Sequence, residues 1–230
     1  MPHRPPCLAA VLAAVLGLAG PVARAQVPSW SARLGLASDL LVRGVRLSDG
    51  HAAVRSAAVD LYAAGWTLGL GALRLRDALG EPSRGWSLHL GHELALDQRW
   101  LLFADLEHSR YEGGAWLAGY GGRQFGLGLG YDDRWSLSWN VDQPLDPALA
   151  ARSLDVNLRW PLARPLALGL GLGRTLGTAG GGRDYGQAGL ELHAGGARLT
   201  LDRHWLRLPA LPPYGERAAR RWVGSAQWSF

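Results

Sequence analysis

The sequence predicts an all-β protein: a twelve-stranded, antiparallel, up-and-down transmembrane β-barrel after a cleaved signal peptide. Three observations lead to this fold class. Apolar and polar residues alternate through most of the chain, which is the pattern of strands with two different faces. The connections between the alternating segments are short and long in turn, as in outer-membrane barrels. Tryptophans recur at the segment ends, where aromatic girdles of such barrels lie.

The composition excludes several other classes of protein. The 230 residues are 48% hydrophobic and 19% charged, which is too apolar and too weakly charged for a disordered chain. Beyond the N-terminus no run of about 18 apolar residues occurs, which excludes a bundle of membrane helices. The balance of 24 basic and 19 acidic residues is too mild to indicate a nucleic-acid partner.

Residues 1–25 are predicted to be a secretory signal peptide, which leaves 26–230 as the barrel domain. Their apolar run, 7–19, is too short to span a bilayer, and Ala23-Arg24-Ala25 is an A-x-A cleavage site. The single cysteine, Cys7, lies in the same segment. The mature chain is therefore predicted to have no disulfide and no cysteine-based metal site, and no cofactor is expected.

Twelve alternating segments are predicted to form the barrel strands. In the eighth, Leu154, Val156 and Leu158 share one face, and polar residues occupy the other. The segments are 30–46, 52–62, 65–76, 85–97, 99–110, 121–132, 134–142, 151–160, 165–175, 184–194, 196–207 and 220–230. The longer loops are short for a folded constriction loop, so any plug is expected to come from side chains of the wall.

The aromatic residues orient the predicted barrel. With a periplasmic N-terminus, Trp30, Trp66, Trp100, Trp135, Trp160 and Trp228 fall at periplasmic strand ends, and Trp86, Trp205 and Trp222 at outer ends. A soluble β-sandwich is the alternative, but its core would not collect tryptophans at strand ends. The last strand ends on Trp228 and Phe230. This ending resembles the signal read by the barrel assembly machinery, which is an expected partner.

The polar strand faces are predicted to line the lumen, because a charge on the lipid face costs about 2–4 kcal/mol at the bilayer midplane. The lumen-lining candidates are Arg33, Asp39, Arg43, Asp60, His89, Glu93, Asp105, Glu107, Asp155, Arg159, Glu191, Arg198 and Asp202. Acids outnumber arginines here, which predicts a weak preference for cations. The alternative is a set of structural ion pairs that brace and close the barrel.

Three strands carry inward glycines, and other arginines cluster toward the outer rim. The glycines are Gly69, Gly71, Gly126, Gly128, Gly130, Gly169, Gly171 and Gly173. They either keep a passage open, or allow long neighbouring side chains to lie across them, or permit wall curvature. The rim arginines are Arg46, Arg74, Arg76, Arg84, Arg110, Arg123, Arg152, Arg174, Arg183, Arg207, Arg217, Arg220 and Arg221. They are predicted either to bind lipopolysaccharide phosphates or to form a solvated charged rim.

A lipid-modifying enzyme of the outer membrane is the rival functional class. Such enzymes use a serine activated by a histidine, and His108 lies beside Ser109. Adjacent residues on a strand point to opposite faces, so this pair is not expected to act together. No catalytic residue and no metal site are predicted. His92 falls on the apolar face, which the pattern does not explain.

Residues 34–50, followed by the next strand, resemble the start of the TorF porin family, also called Gcw_chp. That family opens with a strand carrying Ser-Asp, then Arg-Gly, then a short polar turn. The matching residues are Ser38-Asp39, Arg43-Gly44 and Ser48-Asp49-Gly50. The sequence departs from the family at Leu40 and Val42, where the family tends to have aromatic residues. The resemblance implies an outer-membrane barrel and a porin, without a specific substrate.

The predicted function is passive diffusion of small hydrophilic solutes or ions across the outer membrane of a Gram-negative bacterium. The expected partners are outer-membrane lipid, lipopolysaccharide and the assembly machinery. A closed structural or adhesion barrel that acts through its loops is the first alternative, and a lipid-modifying enzyme is the second.

Overall fold

The computed structural model describes residues 28–177, 181–207 and 221–230, so the predicted signal peptide, 1–25, lies outside the described residues. The strands are β1 (Ser29–Ala37), β2 (Leu41–Val42), β3 (Val45–Arg46), β4 (Val54–Ala63), β5 (Trp66–Arg76), β6 (Pro82–Ala95), β7 (Trp100–Glu112), β8 (Gly122–Tyr131), β9 (Trp135–Pro144), β10 (Ala151–Ala163), β11 (Leu166–Gly177), β12 (Gly182–Ala194), β13 (Ala197–Arg207) and β14 (Arg221–Ser229). A short helix, α1 (Ala115–Ala118), and a 3₁₀ turn (Pro147–Leu149) lie between strands. No helix in the described ranges is long and apolar enough to cross a membrane.

β1 and β4–β14 close into one antiparallel barrel, which confirms the predicted fold class. Each of these strands pairs with its neighbours in the sequence, and β1 pairs with β14 to close the ring. Closure leaves no unpaired sheet edge, which is the condition for strands to span a bilayer. The small β2–β3 hairpin is a separate two-stranded sheet.

The first predicted strand is too long. The segment 30–46 was expected to run as one strand, but β1 ends at Ala37. Ser38 makes the last backbone contact between this end of β1 and β14: its N–H donates to the Gly224 carbonyl (2.9 Å), and its hydroxyl accepts from the Gly224 N–H (3.1 Å). After Ser38 the chain leaves the barrel sheet. Each of the other predicted segments corresponds to one barrel strand.

The outer surface of the barrel is apolar and exposed. Trp30 is 67% exposed and Leu172 is 61% exposed, although both lie within regular strands. A soluble protein buries such faces, whereas a membrane-spanning barrel presents them to lipid. Short turns connect the strands at one end, here called the turn end, and longer connections lie at the other, the loop end.

His92 lies on the apolar outer face at the turn end and has local partners. Its ring stacks on Trp66 with ring centroids 4.3 Å apart, and its Nδ1 lies 3.1 Å from the Gly65 carbonyl oxygen. The imidazole therefore belongs to the aromatic girdle, where amphipathic rings are favoured. His108 also faces outward and packs edge-on against Trp86. Its neighbour Ser109 opposes Ser87 on the inner face.

Candidate functional site

Residues 38–53 leave the wall and fold back into the lumen from the loop end. β2 and β3 form the hairpin, and its turn places Arg43 and Gly44 at φ 49° and 77°, a region that favours glycine. A side chain at Gly44 would overlap Tyr185 and Leu206, which are inward residues of β12 and β13. The hairpin therefore occupies part of the lumen. This finding corrects the expectation that any plug would come from wall side chains.

An apolar cluster anchors the hairpin beneath the loop end. Val45 and Leu47 are buried together with Leu75 of β5 and Leu117 of α1. Burying a side chain of this size contributes about 1.5–3 kcal/mol. The hairpin is thus held by hydrophobic contacts that do not involve its tip.

A polar cluster ties the base of the hairpin to the wall. The buried Asp39 carboxylate accepts hydrogen bonds from the Ser48 hydroxyl, from Arg46 Nε (3.1 Å) and from Arg221 Nη1 (3.3 Å). The Ser48 hydroxyl in turn accepts from the Leu40 N–H at 2.8 Å. Asp39 was predicted on the first barrel strand, and it instead lies on the hairpin segment just beyond that strand.

The sequence pattern groups Arg46, Arg183 and Arg221 with the outer-rim arginines, and all three do lie at the loop end, but they face the lumen. Arg46 and Arg221 share Asp39 inside the barrel, and Arg183 opposes Thr175, which is buried on the inner face. The sequence pattern missed this arrangement because it did not show that a hairpin enters the loop end.

Arg43 crosses the lumen to the opposite wall. Its guanidinium donates a hydrogen bond to Asp142 on β9 and lies 3.8 Å from the Asp155 carboxylate on β10. β9 lies opposite β1 in the ring of twelve strands. Tyr185 donates its phenolic hydroxyl to Asp155, and Asn140 Nδ2 donates to it at 2.8 Å. The Arg43 side chain is only 14% exposed, so it constricts the lumen at this level.

Asp142 is a lumen residue that the sequence analysis missed. Ser138 and Asn140 face the lumen on β9, and by the same alternation Asp142 is the next inward residue. The signal was present, but Asp142 stood at the end of a predicted segment. Its side chain became significant only when the structure brought Arg43 to it.

The described residues line two cavities inside the barrel, one toward each end. The larger, of about 470 Å³, is toward the turn end and is lined in part by Asn157, Arg159 and Asp202. The smaller, of about 260 Å³, is toward the loop end and is lined in part by Arg43 and Glu107. Arg43 approaches Asp155 on β10. The next inward residue of β10 toward the turn end is Asn157, which lines the larger cavity. The contacts of Arg43 therefore lie between the levels of the two cavities.

Several predicted lumen residues are joined as ion pairs near the turn end. Arg33 Nη2 lies 2.6 Å from the buried Asp60 carboxylate, and His89 Nε2 lies 3.3 Å from the other carboxylate oxygen. These contacts bridge β1, β4 and β6 across the inner wall. Pairing of this kind compensates for the removal of the carboxylate from water.

Glu191 forms a second group on β10, β12 and β13. It lies 3.3 Å from Arg159 Nε and 2.8 Å from Arg198 Nη2, and it also contacts His193. Two arginines share this one carboxylate, so the negative charge of Glu191 is fully paired. The acidic lumen predicted from the residue list is therefore not uniform.

Some predicted inward acids have no arginine beside them. In the part of the chain that the structure describes, no arginine lies within ion-pair distance of Glu93, Asp105, Glu107 or Asp202. Asp105 and Glu107 lie on successive inward positions of β7, and Glu107 lines the smaller cavity. These carboxylates supply negative charge that the arginines do not neutralise.

Neighbouring side chains cover most of the inward glycines. A side chain at Gly69 would overlap His89 and Asp60, and one at Gly126 would overlap Asp105. The other glycines covered in this way are Gly71, Gly128, Gly171 and Gly173. At Gly130 and Gly169 an added side chain would approach no atom closer than 3.9 Å. The stripes therefore mostly accommodate adjacent side chains, and Gly169 lines the larger cavity.

The C-terminal residues complete the last barrel strand. Trp228 lies on β14 opposite Leu34 and Ala197. The Phe230 N–H donates to the Ala32 carbonyl at 2.9 Å, and the Ala32 N–H donates back to Phe230 at 3.2 Å. The terminal residues are thus positioned by the seam that closes the barrel.

No family model matches the chain, and no curated protein matches it. The barrel is similar to solved structures of outer-membrane porins. The KdgM porin has a TM-score of 0.56 and 10% identity, with 89% of this chain and 99% of that chain covered. The NanC porin in its rhombohedral crystal form has a TM-score of 0.51 and 9% identity, with 87% and 98% covered. At these identities the likeness is one of fold, and the TorF resemblance stays a prediction.

Proposed function

We propose that this protein is an outer-membrane channel for passive diffusion of small hydrophilic solutes or ions. The observation that carries the proposal is a polar lumen with a cavity toward each end and the Arg43 crossing between them. An apolar belt surrounds this lumen, as lipid requires. The similarity in fold to structures named as porins supports the same function.

The hairpin of residues 38–53 sets the narrowest part of the proposed channel. Its base is held by Asp39 and its body by Val45 and Leu47, so it is a fixed constriction. Solutes pass beside Arg43, whose charge faces Asp142 and Asp155. The polar walls replace part of the solute's hydration there, as pore-lining groups do in other channels.

A weak preference for cations follows from the unpaired carboxylates. Asp105 and Glu107 add negative charge on β7, whereas Arg43 is already paired with carboxylates. Rings or clusters of acidic side chains attract cations in pores. Arg159 and Arg198 oppose this effect near the turn end, which keeps the expected preference small.

The remaining parts of the proposal concern targeting and family. Residues 1–25 direct secretion and are removed, and the ending at Trp228 and Phe230 is read by the barrel assembly machinery. The residues Ser38-Asp39, Arg43-Gly44 and Ser48-Asp49-Gly50 support membership of the TorF porin family. All three groups lie in or beside the lumen hairpin. We assign the chain no catalytic role.

A closed structural barrel is the second candidate, and one observation favours it. The crossing by Arg43 and the side chains over Gly69, Gly126 and Gly173 fill much of the lumen. Narrow barrels can be filled by side chains alone. In this case the loops would carry the function.

A conductance measurement separates the two candidates. The full chain is expressed, the protein is purified from outer membranes, and single channels are recorded in a planar bilayer under a salt gradient. Discrete steps with a cation-selective reversal potential are expected. Discrete steps without that selectivity would contradict the cation preference but would still support the proposed channel. A folded barrel that inserts and passes no current would overturn the channel and favour the closed barrel.

A further inference from the structure

The outward face of the barrel carries a row of arginines on three adjacent strands. Arg55 on β4 lies directly opposite Arg74 on β5, and Arg74 lies directly opposite Arg84 on β6. All three side chains are exposed. The sequence pattern groups Arg74 and Arg84 with the rim arginines but not Arg55, and only the strand register shows that the three are immediate neighbours.

This row is electrostatically unfavourable without a counter-anion. Directly opposed residues in a sheet have Cβ atoms about 4.5–5.5 Å apart, and like charges in such pairs are destabilising. Arg84 has a partner, because its Nη2 lies 2.7 Å from the Glu112 carboxylate. For Arg55 and Arg74, no acidic group of the described residues lies within ion-pair distance. The row therefore holds excess positive charge that a bound anion would neutralise.

The surroundings of the row indicate an anion that carries apolar chains. On β5, Arg74 is followed toward the turn end by Ala72 and Leu70 on the same outward face, and Leu70 is exposed. Trp86, a residue of the loop-end aromatic girdle, lies directly opposite Ala72. Aromatic girdles mark the membrane interface. The arginines thus lie at headgroup level, with the lipid-facing belt beginning beside them.

We propose that Arg55, Arg74 and Arg84 form a binding site for the phosphates of lipopolysaccharide in the outer leaflet. Guanidinium groups bind phosphate through paired, charge-assisted hydrogen bonds, and the acyl chains lie along the apolar wall below. The site rests on the outer-membrane location proposed above and on the direction of the barrel in that membrane. It does not depend on conduction.

The opposite wall lacks such a row. Arg152 on β10 faces Val141 and Leu176 across the neighbouring strands. Arg174 on β11 lies 3.6 Å from Asp184 and opposes no arginine. The proposed site is therefore assigned to β4–β6, where the three arginines oppose one another directly.

The test measures binding of a rough lipopolysaccharide to the detergent-purified barrel by thermophoresis. The double variant Arg55→Gln/Arg74→Gln is compared with the wild type. The matched control is Arg99→Gln/Arg134→Gln, which removes the same charge at exposed positions of the turn end. A second control, Arg152→Gln/Arg174→Gln, removes two outward arginines from the opposite wall. Each variant is checked for folding by heat-modifiable migration in electrophoresis.

The expected result is a Kd about tenfold weaker for Arg55→Gln/Arg74→Gln, which corresponds to about 1.4 kcal/mol. Both controls are expected to keep the wild-type affinity within about twofold. Dephosphorylated lipopolysaccharide is expected to bind the wild type as weakly as intact lipid binds the variant. Equal loss in all three double variants would show a net-charge effect and overturn the site, as would unchanged affinity of a folded Arg55→Gln/Arg74→Gln barrel. Full competition by millimolar inorganic phosphate would also overturn a lipid-specific site.

The same preparations are recorded in planar bilayers. A barrel that binds lipopolysaccharide through the row and passes no current would refute the channel and leave the lipid site supported. A conducting barrel whose lipopolysaccharide affinity is the same in the wild type and in Arg55→Gln/Arg74→Gln would refute the lipid site and leave the channel supported.

Discussion

Arg43→Gln is expected to raise single-channel conductance and to strengthen cation selectivity. The guanidinium of Arg43 lies 3.8 Å from Asp155 and also pairs with Asp142. In the variant these carboxylates face a permeating cation instead. The Coulomb energy at 3.8 Å in a water-like dielectric is about 1 kcal/mol, which corresponds to about a sixfold rise in local cation occupancy. The shorter glutamine side chain also opens the passage.

The assay is the reversal potential of single channels under a potassium chloride gradient, with the dilute side near 0.1 M, where the Debye length is about 10 Å. The selectivity change is expected to shrink in concentrated salt because screening weakens the carboxylate field. Arg159→Gln is the matched control, since it removes the same charge from the larger cavity and leaves Arg198 on Glu191. It is expected to change conductance and selectivity less.

The variant should fold, because Asp39 and the cluster around Val45 and Leu47 hold the hairpin without its tip. Folding is verified by heat-modifiable migration. If folded Arg43→Gln keeps the wild-type conductance and reversal potential, Arg43 does not stand at the narrowest point and the proposed constriction is wrong. A larger effect from Arg159→Gln would relocate the constriction to the turn-end cavity.

Three further predictions concern stability and the hairpin. Gly128→Ala should lower the free energy of unfolding in urea by about 1–3 kcal/mol. The added Cβ would overlap Phe103 and lie 2.7 Å from the Leu137 carbonyl oxygen. Gly169→Ala is the control and should leave the free energy of unfolding nearly unchanged, because no atom lies closer than 3.9 Å to the added Cβ. Leu47→Ala should weaken hairpin docking by about 2–5 kcal/mol and produce larger, noisier currents. A Leu47→Ala channel with the same current size and noise as the wild type would contradict the anchoring role. Backbone N–H groups of Arg99 and Trp100 lower the pKa of Asp97. The stability of the turn it caps should therefore begin to fall below the ordinary pKa of an aspartate and be lost as pH falls through the lowered pKa. Asp97→Asn should abolish this dependence in acid unfolding.

The alternation of residues determined the barrel almost completely and misplaced one segment. Period two shows that a strand has two different faces, but it does not show which sheet the strand joins. Leu40 and Val42 continue the alternation of β1, so 30–46 resembled one long strand. The turn at Arg43-Gly44, with both residues at positive φ, was the local signal that the segment forms a hairpin. Its fold into the lumen depends on contacts with Leu75 and Leu117, which are distant in sequence.

The count of inward charged residues predicts the sign of the net charge in the lumen, but it does not show where in the lumen that charge lies. Counting inward residues predicts an excess of acids. The structure adds Asp142 to the inward acids but also turns Arg46, Arg183 and Arg221 inward, so the excess is smaller and unevenly distributed. Asp39 and Glu191 each hold two arginines, whereas Asp105 and Glu107 on β7 hold none among the described residues. In the proposed channel we therefore expect a cation to be most favoured along β7, close to Arg43. Replacing Asp105 and Glu107 by their amides should thus reduce selectivity more than replacing the paired Asp39 does.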